Sequence, residues 1–191
     1  MTVGFIILCH TALHRAAQVA RYWAERGCPV VIHADVRVKK PDYQGLVDQL
    51  QDLSNVRFSA RFACDWGTWG IVQAEQAAAE VMLKEFPGVR HVFLASGSCL
   101  PLRPVEELRA YLDERPKTDF IESVTTEDVG WTVGGLNLER FTLRFPFSWR
   151  RQRKLFDWYV NLQRKIGFRR RVPPGIVPHL GSQWLSLIHI S

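Results

Sequence analysis

No G-x-G-x-x-G turn follows the first apolar run of this 191-residue sequence, and neither a G-x-x-x-x-G-K-[ST] loop nor a G-x-S-x-G elbow occurs in it. The usual signatures of dinucleotide dehydrogenases, P-loop enzymes and α/β-hydrolases are therefore missing. The four cysteines, Cys9, Cys28, Cys64 and Cys99, stand singly, without the density of a disulfide-stapled secreted scaffold or the C-x-x-C spacing of a zinc site. His10 and His14 lie four apart, yet no H-E-x-x-H accompanies them, so no metal site is expected. No apolar run approaches the roughly 20 residues that span a bilayer. The opening MTVGFIILCH also lacks the basic flank of a signal peptide. These absences predict a globular chain in a reducing, cytoplasmic setting.

What is present suffices for one domain with a real core, because 47% of the residues are hydrophobic and 12% aromatic. Charge is unevenly spread. From Arg140 to Arg171 eleven Lys or Arg face the single acid Asp157, a local +10 against a total of +6. Such a block is either a solvated face or a surface for phosphates, nucleic acid or an anionic membrane. With Trp149, Phe156, Trp158 and Phe168 interleaved as stacking surfaces, a non-catalytic nucleic-acid- or anion-binding module is the alternative reading of the chain.

Periodicity predicts alternating elements. TVGFIIL reads as a strand, and the next segment as a helix with Leu13, Ala16, Ala20 and Trp23 at helical spacing and Gly27 as a stop. PVVIH, VRF, HVFLAS and DFIES read as further strands. Between them DYQGLVDQLQDL, IVQAEQAAAEVMLKEF and PVEELRAYLDE, with Pro104 in its first turn, read as helices. Near-continuous apolar strands alternating with helices argue for an α/β fold whose mostly parallel sheet carries helices on both faces. After Ser123 the pattern fades into the turn-like stretch 125–135 and one amphipathic helix bearing Phe156, Tyr159 and Leu162.

In an open parallel sheet, ligands gather beyond the carboxyl ends of the strands. That rule selects Cys9-His10, His33-Ala34-Asp35 and the SGSCLP run, 96–101. Asp35 ends its strand as an acceptor for ribose hydroxyls or a base N–H; the chain continues Val36-Arg37, so there is no Asp-x-Asp metal clamp. Plainer readings stand beside these: His33 as a hydrogen-bonded core histidine, Asp35 as a cap or turn acid, Trp66 and Trp69 as core aromatics. Gly67 and Gly70, each directly following a tryptophan in CDWGTWG, suggest instead a backbone held close to something flat. The small residues of SGS, with free N–H groups, suit a sugar or a phosphate.

Taken in order, GFIILCH, VVIHADVR, WGIVQAEQAAAEVML, HVFLASGSCLPLRPVEEL and PPGIVPHLGSQWLSL resemble glycosyltransferase family 14, the core-2/I-branching β-1,6-N-acetylglucosaminyltransferases and peptide O-xylosyltransferases. The resemblance implies a GT-A-like, Rossmann-like fold, with a nucleotide-sugar part over 1–123 and the start of an acceptor part over 124–191. It implies inverting transfer of GlcNAc or xylose from UDP-GlcNAc or UDP-xylose to a glycan or peptide hydroxyl, with basic side chains rather than Mn²⁺ balancing the diphosphate and no cofactor. Residue by residue it assigns Asp35 to the uridine, Ile7 or Leu8 to the backbone beside the base, and Thr68 and Trp69 to the nucleotide pocket. Ser182, Gln183 and Trp184 fall near the pyrophosphate and sugar; xylosyltransferase-like members carry Asp where this chain has Gln183, which leaves the donor sugar open. Cys99 stands where many members carry Asp. The family's general base is a Glu expected beyond Ser191, with Glu122 the internal candidate. The tail LSLIHIS departs from the family's usual continuation and reads as a truncation or a foreign segment. Peripheral contact with the inner face of a membrane is the expected location.

Overall fold

The computed structural model of the chain describes residues 2–65, 67–128 and 137–181, and the backbone of 185–188. Strand β1, Val3–Cys9, is buried through most of its length, and successive side chains of a strand alternate between faces. Val3, Phe5, Ile7 and Cys9 enter one apolar cluster while Ile6 enters another. Strand β2, Val30–Ala34, divides likewise, with Val30, Ile32 and Ala34 on the first side and Val31 on the second. Both faces therefore need cover.

Helix α1, Leu13–Ala24, covers the first face with the small residues Ala16, Ala17 and Ala20, and its Trp23 stacks on Phe5 at 3.9 Å. Beside it lies α2, Lys40–Asp48, with Pro41 in its first turn and Leu46 buried; Arg21 of α1 reaches past it to Asp52 at 2.6 Å. After β3, Val56–Phe58, helix α3, Trp69–Glu85, covers the second face through Ala74, Ala78 and Met82. Strand β4, His91–Ser96, leads to α4, Val105–Asp113, which returns to the first face with Val105 and Leu112. Each fully buried Ile, Leu or Val contributes about 2 kcal/mol on burial.

The sheet runs β3-β2-β1-β4-β8-β5, where β5 is Phe120–Ile121 and β8 is Leu185–Ile188. Pairings among β1 to β4 are all parallel, and β8 lies antiparallel to β4 and β5. The expected α/β class, mostly parallel with helices on both faces, is the one observed. One expectation is corrected: DFIES supplies only a two-residue strand. Part of the tail LSLIHIS pairs in the sheet, Ser186 opposite both Phe93 and Phe120.

The chain divides into two compact units, one taking residues up to Ile121 together with β8, the other starting at Glu122. The second holds β6, Val124–Thr125, paired antiparallel with β7, His179–Leu180, and the helices α5, Glu139–Thr142, and α6, Arg153–Lys165. Phe156 and Tyr159 of α6 pack on Phe145 and Phe147. Glu139 takes ion pairs from Arg164 and Arg169.

Candidate functional site

The chain moves outward from β1 to β3 and then crosses back to place β4 on the other side of β1. Strand order reverses there, so the carboxyl ends of β1 and β4 open a crevice of the kind that binds ligands in doubly wound sheets. Gly97 closes one wall, its N–H donating to the Leu8 carbonyl at 2.9 Å. A Cβ on Gly97 would lie 2.8 Å from Cys9 Cβ and 3.2 Å from Ala16 Cβ, so only glycine lets the loop approach α1 this closely. Leu8 itself is half-buried and packs toward the α3 side. At the other wall Ala12, capping α1, holds φ 47°, a left-handed conformation costing an alanine about 1 kcal/mol; His10 and Thr11 before it are exposed.

The SGSC turn is less available than the sequence suggests. Ser96 N–H points to Cys99 Sγ at 3.3 Å, Gly97 N–H to Leu8, Ser98 N–H to Ser96 Oγ at 3.1 Å, and Cys99 N–H to the Ser96 carbonyl at 3.0 Å. The expectation of free N–H groups for a sugar or phosphate is thus corrected: three are used within the turn and the fourth, that of Gly97, is held by β1.

At the tip of β2, His33 is 1% exposed and its Nε2 accepts the Phe62 N–H at 2.9 Å. Burial pushes its imidazolium form down, which leaves a neutral ring with the proton on Nδ1. The core-histidine reading holds. Asp35 is 2% exposed. Its Oδ1 accepts Arg37 N–H at 2.8 Å and Arg37 Nε at 2.9 Å; its Oδ2 accepts Arg37 Nη2 at 2.6 Å and Cys64 N–H at 2.8 Å. Four donors fill the lone pairs of a carboxylate, and these bonds, led by Arg37, hold the acid far below the usual carboxylate range against the cost of burial. An open acceptor was expected here; the structure shows an engaged one.

The same knot extends outward. Arg37 Nη1 reaches Asp65 at 2.8 Å, and Arg61 donates to the carbonyls of Ala34, Asp35 and Val38 while its guanidinium sits 4.3 Å from the Tyr43 ring. Cys64 is followed by the start of α3, where Thr68 Oγ1 donates to the Asp65 carbonyl at 2.7 Å and Trp69 is 66% exposed. A Cβ on Gly70 would collide with the Ala63 carbonyl. Asp35, Thr68 and Trp69 are therefore linked through residues 59–65, of which the sequence reading passed over 59–63; Arg37, two residues after Asp35, was the available signal.

Trp66, Ser182, Gln183 and Trp184 lie outside the described residues. Glu122 is exposed and belongs to the second unit. Among the described residues no group of three His, Cys, Asp or Glu is placed to hold a metal ion, and no helix is long and apolar enough to cross a membrane. A cavity of about 600 Å³ opens under residues 99–104 against α4, with Phe5, Trp23, Phe93 and Tyr111 in its walls; so apolar a lining does not suit a diphosphate.

A Rossmann-like α/β sheet with polar groups knotted at its strand tips defines the class. The family model for the Core-2/I-branching enzyme matches residues 3–188, and the chain belongs to that family, one of glycosyltransferases. No curated protein matches the sequence. Among solved structures it is similar to UDP-glucose pyrophosphorylase from Leishmania major, at 11% identity and TM-score 0.41, covering 66% of this chain and 37% of that one. It is also similar to UDP-glucose phosphorylase from Trypanosoma brucei, at 10% identity and TM-score 0.40, covering 98% and 50%. The chain thus spans half or less of the length of these structures, and so loose a superposition fixes no ligand.

Proposed function

We propose that the chain belongs to an enzyme that transfers GlcNAc or xylose from a UDP-sugar to a glycan or peptide hydroxyl, with inversion and without a divalent ion. The observation that carries this reading is the reversal of strand order between β1 and β4, with Asp35 at the neighbouring tip of β2, in a member of the Core-2/I-branching family. Asp35 is its uridine contact. A uracil N3–H donates to a carboxylate, and to reach this one it displaces Arg37, which is 44% exposed along its side chain and so has room to turn outward. Thr68 and the exposed Trp69 frame the same side, and Leu8 lies under the base.

Leaving-group charge on UDP needs fixed cations where no Asp-x-Asp clamp exists. Inversion also needs a base for the acceptor's proton. Glu122 is the candidate for that base within this chain. Calorimetric titration with UDP, UDP-GlcNAc and UDP-xylose in EDTA tests the reading. Binding of UDP with EDTA present is expected; binding abolished by the chelator would remove metal independence, and none by a folded chain would remove the uridine assignment.

A further inference from the structure

Helix α6 satisfies its own packing with one side and leaves another uncovered. Val160 and Gln163 are buried, and Phe156 and Tyr159 rest on Phe145 and Phe147. A neighbouring flank, at spacings of three and four, carries Leu155 (46% exposed), Trp158 (58%), the half-buried Leu162 and, just past the helix, Ile166 (66%). Lys154 and Lys165 run along the outer edge of this stripe. Trp149, 45% exposed with Arg153 at 5.0 Å from its ring, stands close in sequence to the helix start. Single exposed apolar residues are ordinary, but a stripe continued over three turns and bordered by lysines is not.

Its charge identifies the occupant. Residues 122–182 hold eleven Lys or Arg against five Asp or Glu, a surplus of six that equals the +6 of the whole chain. A nucleic acid would use the cations and stack on the tryptophans, but Leu155 and Ile166 offer it neither charge nor a ring. A bilayer boundary accepts all three kinds of group: aliphatics at the acyl edge, tryptophan in the headgroup zone, and lysines that extend their ammonium groups back to phosphate. We propose that this flank of α6 docks flat on an anionic membrane surface. The inference does not rest on the UDP-sugar reading.

Co-sedimentation of the full chain with vesicles of phosphatidylcholine alone, and of phosphatidylcholine mixed with phosphatidylglycerol, tests it. Binding is expected only to the mixed vesicles, weakened but not abolished by salt. Trp158→Ser and Ile166→Ser are each expected to lower the partition coefficient about tenfold, the equivalent of losing one buried apolar side chain. Circular dichroism checks each variant, and Ile166→Ser, outside the helix, carries the test if Trp158→Ser does not fold. Binding to neither vesicle overturns the proposal. So does binding indifferent to both substitutions and fully competed by a single-stranded RNA oligonucleotide, which would mark a surface that reads charge alone.

Discussion

Arg37 folds back along the chain to hold Asp35 with its backbone N–H, Nε and Nη2, the shortest contact being 2.6 Å. The pair separates two roles for the acid. If Asp35 accepts the uracil N–H, Arg37→Ala frees the carboxylate and UDP binds more tightly, while Asp35→Asn, whose amide presents one acceptor instead of two, weakens it about tenfold or more. If Asp35 only fixes residues 59–65, both substitutions weaken UDP together. Calorimetry on the two variants decides, and parallel weakening would end the direct contact.

Acid should destabilise the first unit in two steps. Burial lowers the folded-state pKa of His33 and of His91, so their unfolded forms bind more protons and stability falls as pH drops below about 6.5. Asp35 is depressed by Arg37; its contribution is complete above the unfolded carboxylate pKa of about 3.9 and is lost as pH falls below that value. Thermal melts between neutral pH and pH 3 should show both declines. Asp35→Asn should reduce the lower one, to which Asp52, held low by Arg21, also belongs, and cost about 2 kcal/mol at neutral pH.

The strands and helices up to Asp113 were legible because each repeats an apolar pattern within its own length, as in Leu13, Ala16, Ala20 and Trp23 of α1. What escaped depends on partners distant in sequence or on side chains that fold back. β8 finds its place by pairing with β4, more than ninety positions earlier, and with β5, and no local pattern records that. Asp35 sits at the strand tip as expected, but it is engaged by the side chain of Arg37 folding back on it and by the N–H of Cys64, 29 residues on. The SGSC turn was read from its small residues, whereas the sulfur of Cys99 is what closes it.

Two glycines should differ in their tolerance of a methyl group. On Gly4 a Cβ would meet Met82 Sδ at 2.7 Å, the end of a flexible side chain that can turn aside. On Gly70 it would meet the Ala63 backbone carbonyl, which is tied into the knot around Asp35. Gly70→Ala should therefore cost about 3 kcal/mol and impair UDP binding, and Gly4→Ala about 1 kcal/mol without that effect. Equal losses in chemical denaturation would show that the 59–65 segment yields as readily as Met82.

Thiol chemistry should report the same packing. Burial pushes Cys9 up to about 12 and, with the Asp35 charge nearby, Cys64 up to about 11, so neither presents thiolate near pH 8. A disulfide exchange reagent should modify both slowly in the folded chain and all four cysteines at once in denaturant. Asp35→Asn, by removing a charge that raises the Cys64 thiol, should speed Cys64 selectively; prompt labelling of Cys64 in the unaltered chain would contradict the knot.

Gln163 should matter more than any cation of the basic block. It is 3% exposed, and its amide mimics a strand partner for Arg144: Oε1 accepts the Arg144 N–H and Nε2 donates to the Arg144 carbonyl, both at 2.9 Å. Gln163→Leu fills similar space but strands two backbone groups, a cost of about 3 kcal/mol, while Lys154→Ala on the exposed side should change stability by less than about 0.5 kcal/mol. Because the contacts of Gln163 lie within residues 122–182, the effect should surface as earlier proteolytic cleavage there, with the first unit's melt unchanged. A melt lowered throughout the chain would mean the two units unfold as one.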